Sequence, residues 1–267
     1  MSLPSEMEAP ARLDPVWSRV RDEARAMAER EPLMAAMVHA TVLRHESLED
    51  ALACRIAQKL ASPDLSALAM QDVARDAMSG DKGVGAAARA DLVAVYERDP
   101  ACHGYLQPIL FFKGFLAVQA YRVAHRLWRT DRRDLAYVFQ MRASEMFSID
   151  IHPNARVGRG IMIDHAHAIV IGETATLGDN CSLLHSVTLG GTGKEHGDRH
   201  PKVGNGVLIG AGAKILGNIK VGSCSRIAAG SVVLQDVPSC KTVAGVPAKV
   251  VGDAGCDQPS LSMDQRV

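Results

Sequence analysis

The stretch that decides the fold runs over residues 203–233 and reads VGNGVLIGAGAKILGNIKVGSCSRIAAGSVV. An aliphatic residue occupies every sixth position in it. These positions are Val203, Ile209, Ile215, Val221, Ile227 and Val233. A six-residue period is typical of a parallel β-helix, in which three repeats close one coil. We therefore expect the six side chains to point inward and equivalent residues of successive coils to stack about 4.8 Å apart.

The same period extends toward the N-terminus in two other frames. The first frame consists of Ile151, Val157 and Ile163, and the second of Ile171, Leu177, Leu183 and Leu189. Each change of frame inserts two extra residues, once after Ile163 and once after Leu189. The second insertion is rich in glycine and charged residues, which cannot fill a solenoid core, so it should form an external loop. Interruptions of a repeat are often the functional sites of such proteins.

The chain before the repeats is predicted to be helical. Ser47-Leu48-Glu49-Asp50 resembles a capping box, and the helix that it begins should end before Pro63. Apolar spacing predicts further helices near residues 68–80 and 92–99, one long helix over 106–128 and a shorter one over 135–146. The fold class is therefore α+β. We predict an all-helical domain over residues 1–147, a β-helix domain over 148–250 and a C-terminal tail over 251–267.

Composition argues against several classes of partner. The 30 basic residues equal the 30 acidic ones and aromatics are only 4%, so neither nucleic acid nor an acidic membrane is expected as a partner. No apolar run approaches the roughly 18–20 residues of a membrane span, and residues 1–15 do not resemble a secretory signal. The six cysteines include no C-x-x-C pair. This usage is typical of reduced thiols in a cytoplasmic protein without a structural metal.

Ionisable side chains gather at the two interruptions of the repeat. They are Asp150, His152, Asp164, His165, His167, His185, Arg199 and His200. His185 should stack one coil above His165, and Asp150 should lie one coil below residues 164–168. An imidazole oriented by a carboxylate is the usual general base near neutral pH. Asp150 and His165 are therefore candidates for a catalytic pair.

Several motifs resemble the serine acetyltransferase family, a branch of the hexapeptide-repeat acyltransferases. They are SIDIHP (148–153), GIMIDHA (160–166), SVTLGGTGK (186–194), GDRHP (197–201), IGAGAKILGN (209–218) and AGVPAK (244–249). The combination of D-H-A with G-D-R-H-P is far more specific than the repeat, which many acyltransferases share. The resemblance is close over residues 97–252 and implies a left-handed β-helix. The period alone does not predict that hand, because the usual crossover rule favours the right-handed one.

The resemblance implies an activity and a role for each site residue. The reaction would move the acetyl group of acetyl-CoA to the hydroxyl of L-serine, giving O-acetyl-L-serine and CoA. The implied roles are His165 as general base, Asp150 as its orienting partner, Asp99 and Asp164 as ligands of the serine ammonium, Arg199 as ligand of the carboxylate and His200 as a further pocket residue. The implied acetyl-CoA contacts are Gly191, Thr192, Ala211, Ala229 and Lys249, in a groove between subunits.

The family also implies a biological setting and partners. Its reaction is the first step of cysteine biosynthesis from serine, and L-cysteine would act as a feedback inhibitor. The implied assembly is a homo-hexamer, a dimer of trimers joined through the helical halves. Members that bind O-acetylserine sulfhydrylase through the C-terminal tail end in isoleucine, whereas this chain ends in Val267. The sequence therefore departs from the family pattern at the point where that partner would bind.

Other interpretations of the sequence remain open at this stage. A hexapeptide acyltransferase for a sugar or a xenobiotic would share the repeat, but it would not need opposite charges that match an amino acid. A metal hydratase of the γ-carbonic-anhydrase type would use three histidines, for which His165, His167 and His185 are available. An interaction protein would explain the helical half but not the polar clusters. Assays with serine and sugars, together with metal analysis, would distinguish these classes.

Overall fold

The computed structural model describes residues 14–193, 196–255 and 258–266, which form a helical half and a parallel β-solenoid. The helices of the first half are α1 (Pro15–Arg30), α2 (Pro32–Val38), α3 (Leu48–Leu60), α4 (Ala67–Ser79), α5 (Lys82–Arg98), α6 (Leu106–Phe111), α7 (Lys113–Arg129) and α8 (Arg133–Phe147). A π-helical turn, His39–Leu43, follows α2. No helix in these ranges is long and apolar enough to cross a membrane.

Helix boundaries in the first half follow local sequence signals. The Ser47 side chain accepts a hydrogen bond from the backbone N–H of Asp50 at 3.1 Å and begins α3 as predicted. The single helix predicted over residues 106–128 is wrong, because Phe112 is extended (φ −95°, ψ 104°) and separates α6 from α7. Just after this break Gly114 packs on the solenoid, where a Cβ atom would collide with the carbonyl oxygen of Ile163.

After α8 the chain winds into short strands that stack into three sheets. The strands are β1 (Ile149–Ile151), β2 (Arg156–Val157), β3 (Met162–Ile163), β4 (Ile169–Ile171), β5 (Thr176–Leu177), β6 (Ser182–Leu183), β7 (Thr188–Gly190), β8 (Lys202–Val203), β9 (Leu208–Ile209), β10 (Lys214–Leu216), β11 (Lys220–Val221), β12 (Arg226–Ile227), β13 (Val232–Val233), β14 (Lys241–Gly245) and β15 (Ala248–Asp253). Sheet A contains β1, β4, β7, β10 and β13, sheet B contains β2, β5, β8 and β11, and sheet C contains β3, β6, β9, β12, β14 and β15. Successive coils pair in parallel, and only the β14–β15 hairpin is antiparallel in the described residues.

The aliphatic positions predicted to point inward form the solenoid core. One register across sheet A joins Ile151, Ile171, Leu189, Ile215 and Val233. Twelve of the thirteen predicted anchors are buried, and Val157 in the first coil is partly exposed. Removal of apolar surface from water stabilises a fold by roughly 25 cal/mol per Å². A continuous aliphatic stack therefore stabilises each coil only when its neighbours are also folded.

A buried ion pair joins the helical half to the first coil. Asp91 in α5 and Arg122 in α7 lie 2.7 Å apart, and Asp91 is fully buried. Arg122 also donates to the carbonyl oxygen of Gly158 at 2.8 Å, and the backbone N–H of Ile161 donates to Asp91 at 2.9 Å. Because the pair is hydrogen-bonded to both halves, it fixes the orientation of the helices on the solenoid.

The described C-terminal residues fold back on the outer face of sheet C. β15 extends to Asp253 and pairs with β14 across the predicted end of the β-helix domain. The Ser182 hydroxyl donates to the carbonyl oxygen of Ser260 at 2.9 Å, and Arg226 donates to that of Ala254 at 2.7 Å. A short helix, α9 (Pro259–Ser262), lies in this segment. The residues predicted as a tail are therefore packed on the solenoid where they are described.

Candidate active site

The corners that lead from sheet C into sheet A stack into one column along the solenoid, which we call the first column. Its successive members are His165, His185, Ala211 and Ala229, each two residues after a paired strand residue. Gly245, at the end of β14, continues this stack where the chain turns into the β14–β15 hairpin. The backbone N–H of Gly212 donates to the carbonyl oxygen of His185 at 2.9 Å, linking adjacent corners. The ring centroids of His165 and His185 are 5.8 Å apart. This contact confirms the prediction that His185 stacks one coil above His165.

The first interruption of the repeat distorts the first column at His165. His165, Ala166 and Ala168 all have positive φ angles, of 54°, 50° and 54°. A left-handed conformation costs a non-glycine residue on the order of 1–3 kcal/mol, and such strain concentrates at functional sites. The distortion accommodates the two extra residues and leaves the His165 side chain 72% exposed. An exposed imidazole at a strained corner is accessible to a reacting molecule.

Three of the predicted site residues meet in one cleft between the helical half and the solenoid. Asp99 lies just after α5, while Asp164 and His165 follow β3, and all three line a cavity of about 480 Å³. The opposite wall is formed by the break between α6 and α7. Its lining residues there are Phe111, Phe112, Lys113, Gly114 and Phe115. The cleft thus combines two carboxylates and an imidazole with an aromatic wall.

The carboxylates of this cleft are held by short-range contacts. Asp99 accepts a hydrogen bond from the backbone N–H of Ala101 at 2.8 Å, which leaves its second oxygen for another donor. The Asp164 carboxylate lies 3.6 Å from Nε2 of His165. Carboxylate oxygens accept charge-assisted hydrogen bonds from ammonium groups. The arrangement can therefore bind a small cation next to a group that exchanges protons.

Sequence reasoning missed the aromatic wall of the cleft. The prediction places Phe111 and Phe112 inside one helix over residues 106–128 and gives them no functional role. The signal was present, because Lys113 and Gly114 interrupt the apolar run that predicted this helix. Lys113 places its Nζ atom 3.4 Å from Nδ1 of His167, so it brings a positive charge to the rim. A break at this position is what lets the helices line the cleft.

Arg199 and His200 lie elsewhere, at the corners that lead from sheet A into sheet B, which we call the second column. Arg199 pairs with Glu173 at 2.8 Å. The buried His200 accepts a hydrogen bond at Nδ1 from the backbone N–H of Thr174 at 3.2 Å. Burial lowers the pKa of His200 below its ordinary value, and the nearby charges of Arg199 and Lys202 lower it further. This shift favours the neutral form of His200. The Thr174 hydroxyl accepts hydrogen bonds from the backbone N–H groups of Arg199 and His200, at 3.0 and 3.2 Å, and so holds this corner in place.

Asp150 does not reach His165 within one chain. Its register partner across sheet A is Val170, so the prediction that it lies below residues 164–168 is wrong by two residues. The reason is that the two inserted residues precede β4. The Asp150 carboxylate accepts a hydrogen bond from the side-chain amide of Gln140 at 2.6 Å, and no ion pair joins it to His165 in the described chain. The predicted pair is therefore not formed within the described chain.

The residues predicted to contact acetyl-CoA fall into both columns. Ala211 and Ala229 stand above His165 in the first column, and Lys249 is exposed on β15, where it pairs with Ala244. Gly191 lies in the second column, where a Cβ atom would approach the carbonyl oxygen of Arg199 to 3.4 Å. Its neighbour Thr192 is exposed, at the start of the loop formed by the second interruption. The first column therefore offers a continuous path upward from His165.

The histidines considered for a metal site do not form one cluster. His165 and His185 are in contact, whereas His167 is directed to Lys113. Within the described ranges, no group of three or more His, Cys, Asp or Glu side chains has an arrangement that could hold a metal ion. The geometry thus offers nothing in favour of the hydratase interpretation.

Comparison with known proteins agrees with the geometry. The family described as "Serine acetyltransferase, N-terminal" matches residues 16–120, and "Bacterial transferase hexapeptide (six repeats)" matches residues 200–235. The serine acetyltransferase of Salmonella typhimurium is 54% identical over 253 residues, covering 95% of this chain and 93% of the relative. Similarity therefore extends over both halves of the chain.

Solved structures with bound ligands resemble the chain equally well. Soybean serine acetyltransferase complexed with serine has a TM-score of 0.88 at 52% identity, over 91% of this chain and all of the other. The Brucella abortus enzyme in complex with coenzyme A has a TM-score of 0.89 at 51% identity, over 91% and 98%. A serine acetyltransferase in complex with cysteine has a TM-score of 0.92 at 47% identity, over 94% and 98%. Its fold and its similarity to these relatives show that the chain belongs to the serine acetyltransferase family.

Proposed function

We propose that the chain transfers the acetyl group of acetyl-CoA to the hydroxyl of L-serine, giving O-acetyl-L-serine and CoA. The observation that carries this proposal is the convergence of Asp99, Asp164 and His165 on one cleft. The two carboxylates complement the ammonium of an amino acid, and the imidazole stands beside them where a β-hydroxyl would lie. The soybean relative complexed with serine and the Brucella relative in complex with coenzyme A support both substrates.

The reaction requires a general base and attack of the serine hydroxyl on the thioester carbonyl carbon. The His165 imidazole takes the proton from the serine hydroxyl as that oxygen bonds to the thioester carbonyl carbon. When the tetrahedral intermediate collapses, the carbon–sulfur bond breaks and the imidazolium returns the proton to the CoA sulfur. General-base assistance of this kind contributes about 10²–10⁴ in rate. Exposure of His165 at the strained corner gives both substrates access to it.

The first column provides a path for the acyl donor. Ala211 and Ala229 are small residues stacked above His165 and His185, so an extended molecule can lie along them with its thioester at the His165 imidazole. Successive coils rise by about 4.8 Å. Lys249 stands near the upper end of this path, where its ammonium can meet the phosphates of CoA. Gly191 and Thr192 would complete the groove from a neighbouring chain.

The positions of the two columns on one chain favour a trimer. They lie on opposite edges of sheet A, since each strand of that sheet runs from one column to the other. In a ring of three chains with sheet A facing the axis, the first column of one chain adjoins the second column of the next. Arg199 of the neighbour can then bind the serine carboxylate. Its Asp150, which extends outward from the middle of β1 on the face of sheet A, can approach His165 across the same interface. Exposed Val170, beside Asp150 on this face, is consistent with such packing.

The cleft also supports the proposed place in metabolism and its regulation. L-Cysteine carries the same ammonium and carboxylate as L-serine, so it should compete for Asp99, Asp164 and Arg199. A relative solved in complex with cysteine supports this proposal, which fits an enzyme of the first step of cysteine biosynthesis. The hexamer, the complex with O-acetylserine sulfhydrylase and the cytoplasmic location remain predictions from the sequence.

The activity can be tested by following the thiol of CoA that is released from acetyl-CoA. We expect release to depend on L-serine and to be negligible with a panel of sugars and xenobiotic amines. L-Cysteine should raise the apparent KM for serine without lowering the maximal rate at saturating serine, and Asp164→Asn should weaken the use of serine and the inhibition together. Faster release with a sugar than with serine would overturn the assignment.

A further inference from the structure

Arg98 is the last residue of α5 and directly precedes Asp99. Its side chain is 6% exposed, so its positive charge is almost wholly removed from water. The guanidinium donates to the carbonyl oxygen of Gly160 at 3.0 Å, to that of Cys181 at 3.4 Å and to the hydroxyl of Ser182 at 3.1 Å. All three acceptors are neutral. Burial of a cation without a counter-charge is costly, which indicates a role that an apolar residue could not fill.

The acceptors of Arg98 belong to the coils that carry the rest of the cleft. Gly160 leads into β3, which ends at Asp164 and His165, and Ser182 begins β6, which leads to His185. Arg98 therefore fastens the end of α5 to the same two coils from which the other cleft residues extend. All three hydrogen bonds come from Nη1, at the far end of the side chain. A lysine ammonium at this position would lie one bond closer to the backbone than Nη1 does.

Arg98 is not needed merely to attach the helices. The ion pair between Asp91 and Arg122 already joins α5 and α7 to the first coil. Arg98 acts two turns further along α5, at the end where the chain turns through Asp99 into the loop before α6. There the backbone N–H of Cys102 donates to the carbonyl oxygen of Asp99 at 2.9 Å. A shift of the α5 end would move this turn and the carboxylate with it.

The C-terminal segment completes the anchor. The Ser182 hydroxyl, which accepts from Arg98, donates to the carbonyl oxygen of Ser260, and both serines are fully buried. The backbone N–H of Ser260 approaches the carbonyl oxygen of Gly206 at 3.5 Å, in the next coil. The hydrogen bonds from Arg98 to Ser182 and from Ser182 to Ser260 are thus shielded from water, and they join α5, sheet C and α9. Each of these hydrogen bonds orients the other.

We infer that Arg98 is a positioning residue for serine capture, which through its hydrogen bonds to the solenoid and to Ser182 holds Asp99 where it meets the substrate ammonium. The inference rests on the proposed function of Asp99. The hydrogen-bonded residues Arg98, Ser182 and Ser260 should therefore affect the binding of the amino acid and leave the binding of acetyl-CoA unchanged.

The test compares two conservative variants in the full-length enzyme. Arg98→Lys keeps the charge but shortens the side chain by one bond, so the ammonium should not reach the acceptors of Nη1 in the same geometry. Ser182→Ala removes the link to the C-terminal segment. For Arg98→Lys we expect the KM for serine to rise about tenfold, the size expected when a binding group is misplaced by a fraction of an ångström. The KM for acetyl-CoA should stay unchanged. Ser182→Ala should raise the KM for serine by a smaller factor. If Arg98→Lys does not fold, the KM of Ser182→Ala alone decides the outcome.

Discrimination between serine and an analogue without the ammonium group would not change if Arg98 only stabilised the fold. 3-Hydroxypropionate is serine without its ammonium, so its use does not depend on Asp99. The ratio of kcat/KM for serine to that for 3-hydroxypropionate should fall in both variants. The matched control is Arg142→Lys, since Arg142 is a largely buried arginine that bonds the carbonyl oxygens of Leu60 and Ala61, away from the cleft. It should lower Tm and leave the ratio unchanged.

The outcomes separate the inference from the proposed function. If the unmodified enzyme shows no serine-dependent acetyl transfer, the proposed function fails and the inference with it. If the enzyme is active but Arg98→Lys and Ser182→Ala lower only Tm, as Arg142→Lys does, the positioning role is wrong. A rise in the KM for acetyl-CoA equal to that for serine would also overturn it, because the effect would then not be confined to the ammonium site.

Discussion

At the residue scale, the site divides into groups that one chain assembles and groups that it keeps apart. Asp99, Asp164 and His165 line one cleft although the first is 65 residues away from the second along the chain. Asp150 and Arg199 point to other surfaces and have partners there, Gln140 and Glu173. Motif resemblance predicted all five, because it reports which residues act together. It carries no information on which chain supplies each of them.

Replacement of His165 by Ala should lower kcat by about 10²–10⁴, since the serine hydroxyl then loses its base. The KM for serine should change little, because Asp99 and Asp164 remain. Steady-state rates of CoA release measure both constants. His167→Ala is the control, since this neighbouring histidine is directed to Lys113 and does not line the cleft. A folded His165→Ala enzyme with near-normal kcat would contradict the proposed mechanism.

At the element scale, two irregularities shape the cleft. The inserted residues between β3 and β4 push His165 outward through three left-handed residues. The break at Phe112 ends α6 and brings the start of α7 against the same corner, where Gly114 lies on Ile163 and Ala166. The hexapeptide period predicted the first irregularity, because two inserted residues visibly shift the frame of a regular repeat. Helical periodicity missed the second, because the residues on both sides of Phe112 suit a helix.

Gly114→Ala tests the contact between α7 and the strained corner. The added Cβ would collide with the carbonyl oxygen of Ile163, so α7 or the corner must move. We expect a loss of about 1–3 kcal/mol in the free energy of unfolding, which is typical of overpacking, together with a lower kcat as His165 shifts. Denaturant unfolding and CoA release measure these effects. Gly252→Ala is the control, because a Cβ there meets nothing within 4 Å, and it should leave both quantities unchanged.

At the scale of the whole molecule, the solenoid separates the two columns by the width of sheet A. A single chain therefore presents half of the proposed site at each edge, and a ring of three chains would bring the halves together. Exposed apolar side chains accompany Asp150 on this side of the molecule, namely Tyr137, Met141 and Val170. Such residues are candidates for burial between chains. The assembly would then be part of the active site itself.

Co-expression of two variants of lowered activity tests the shared site. His165→Ala supplies chains with an intact Asp150, and Asp150→Ala supplies chains with an intact His165. If each site takes His165 from one chain and Asp150 from the next, random assembly into rings restores about a quarter of the sites. The recovered rate of CoA release should approach that fraction of the unmodified enzyme. If both residues acted within one chain, co-expression would recover no activity beyond that of the separate variants.

Protein stability should depend on pH through buried histidines. Burial lowers the pKa of His45, His125, His152 and His200 below the ordinary value of 6.5. The folded chain therefore binds these protons more weakly than the unfolded chain, so unfolding takes up protons once the pH falls below about 6.5. The free energy of unfolding, measured with denaturant, should decrease between about pH 7 and pH 5. His125→Gln should flatten this dependence, and an unchanged slope would contradict the explanation.

The sequence by itself determined the helical half, the coil period, the buried anchors and the two points where the repeat is interrupted. These features are local, since a six-residue pattern and a capping box need only near neighbours to be recognised. The left-handed sense of the coil and the residue roles came from motif resemblance. Only the tertiary structure decided that Asp99 joins His165 while Asp150 does not. Register depends on where the two inserted residues fall, and the cleft depends on how α5 and α7 pack against the solenoid. Distances of this kind come from contacts between remote segments, which no local pattern records.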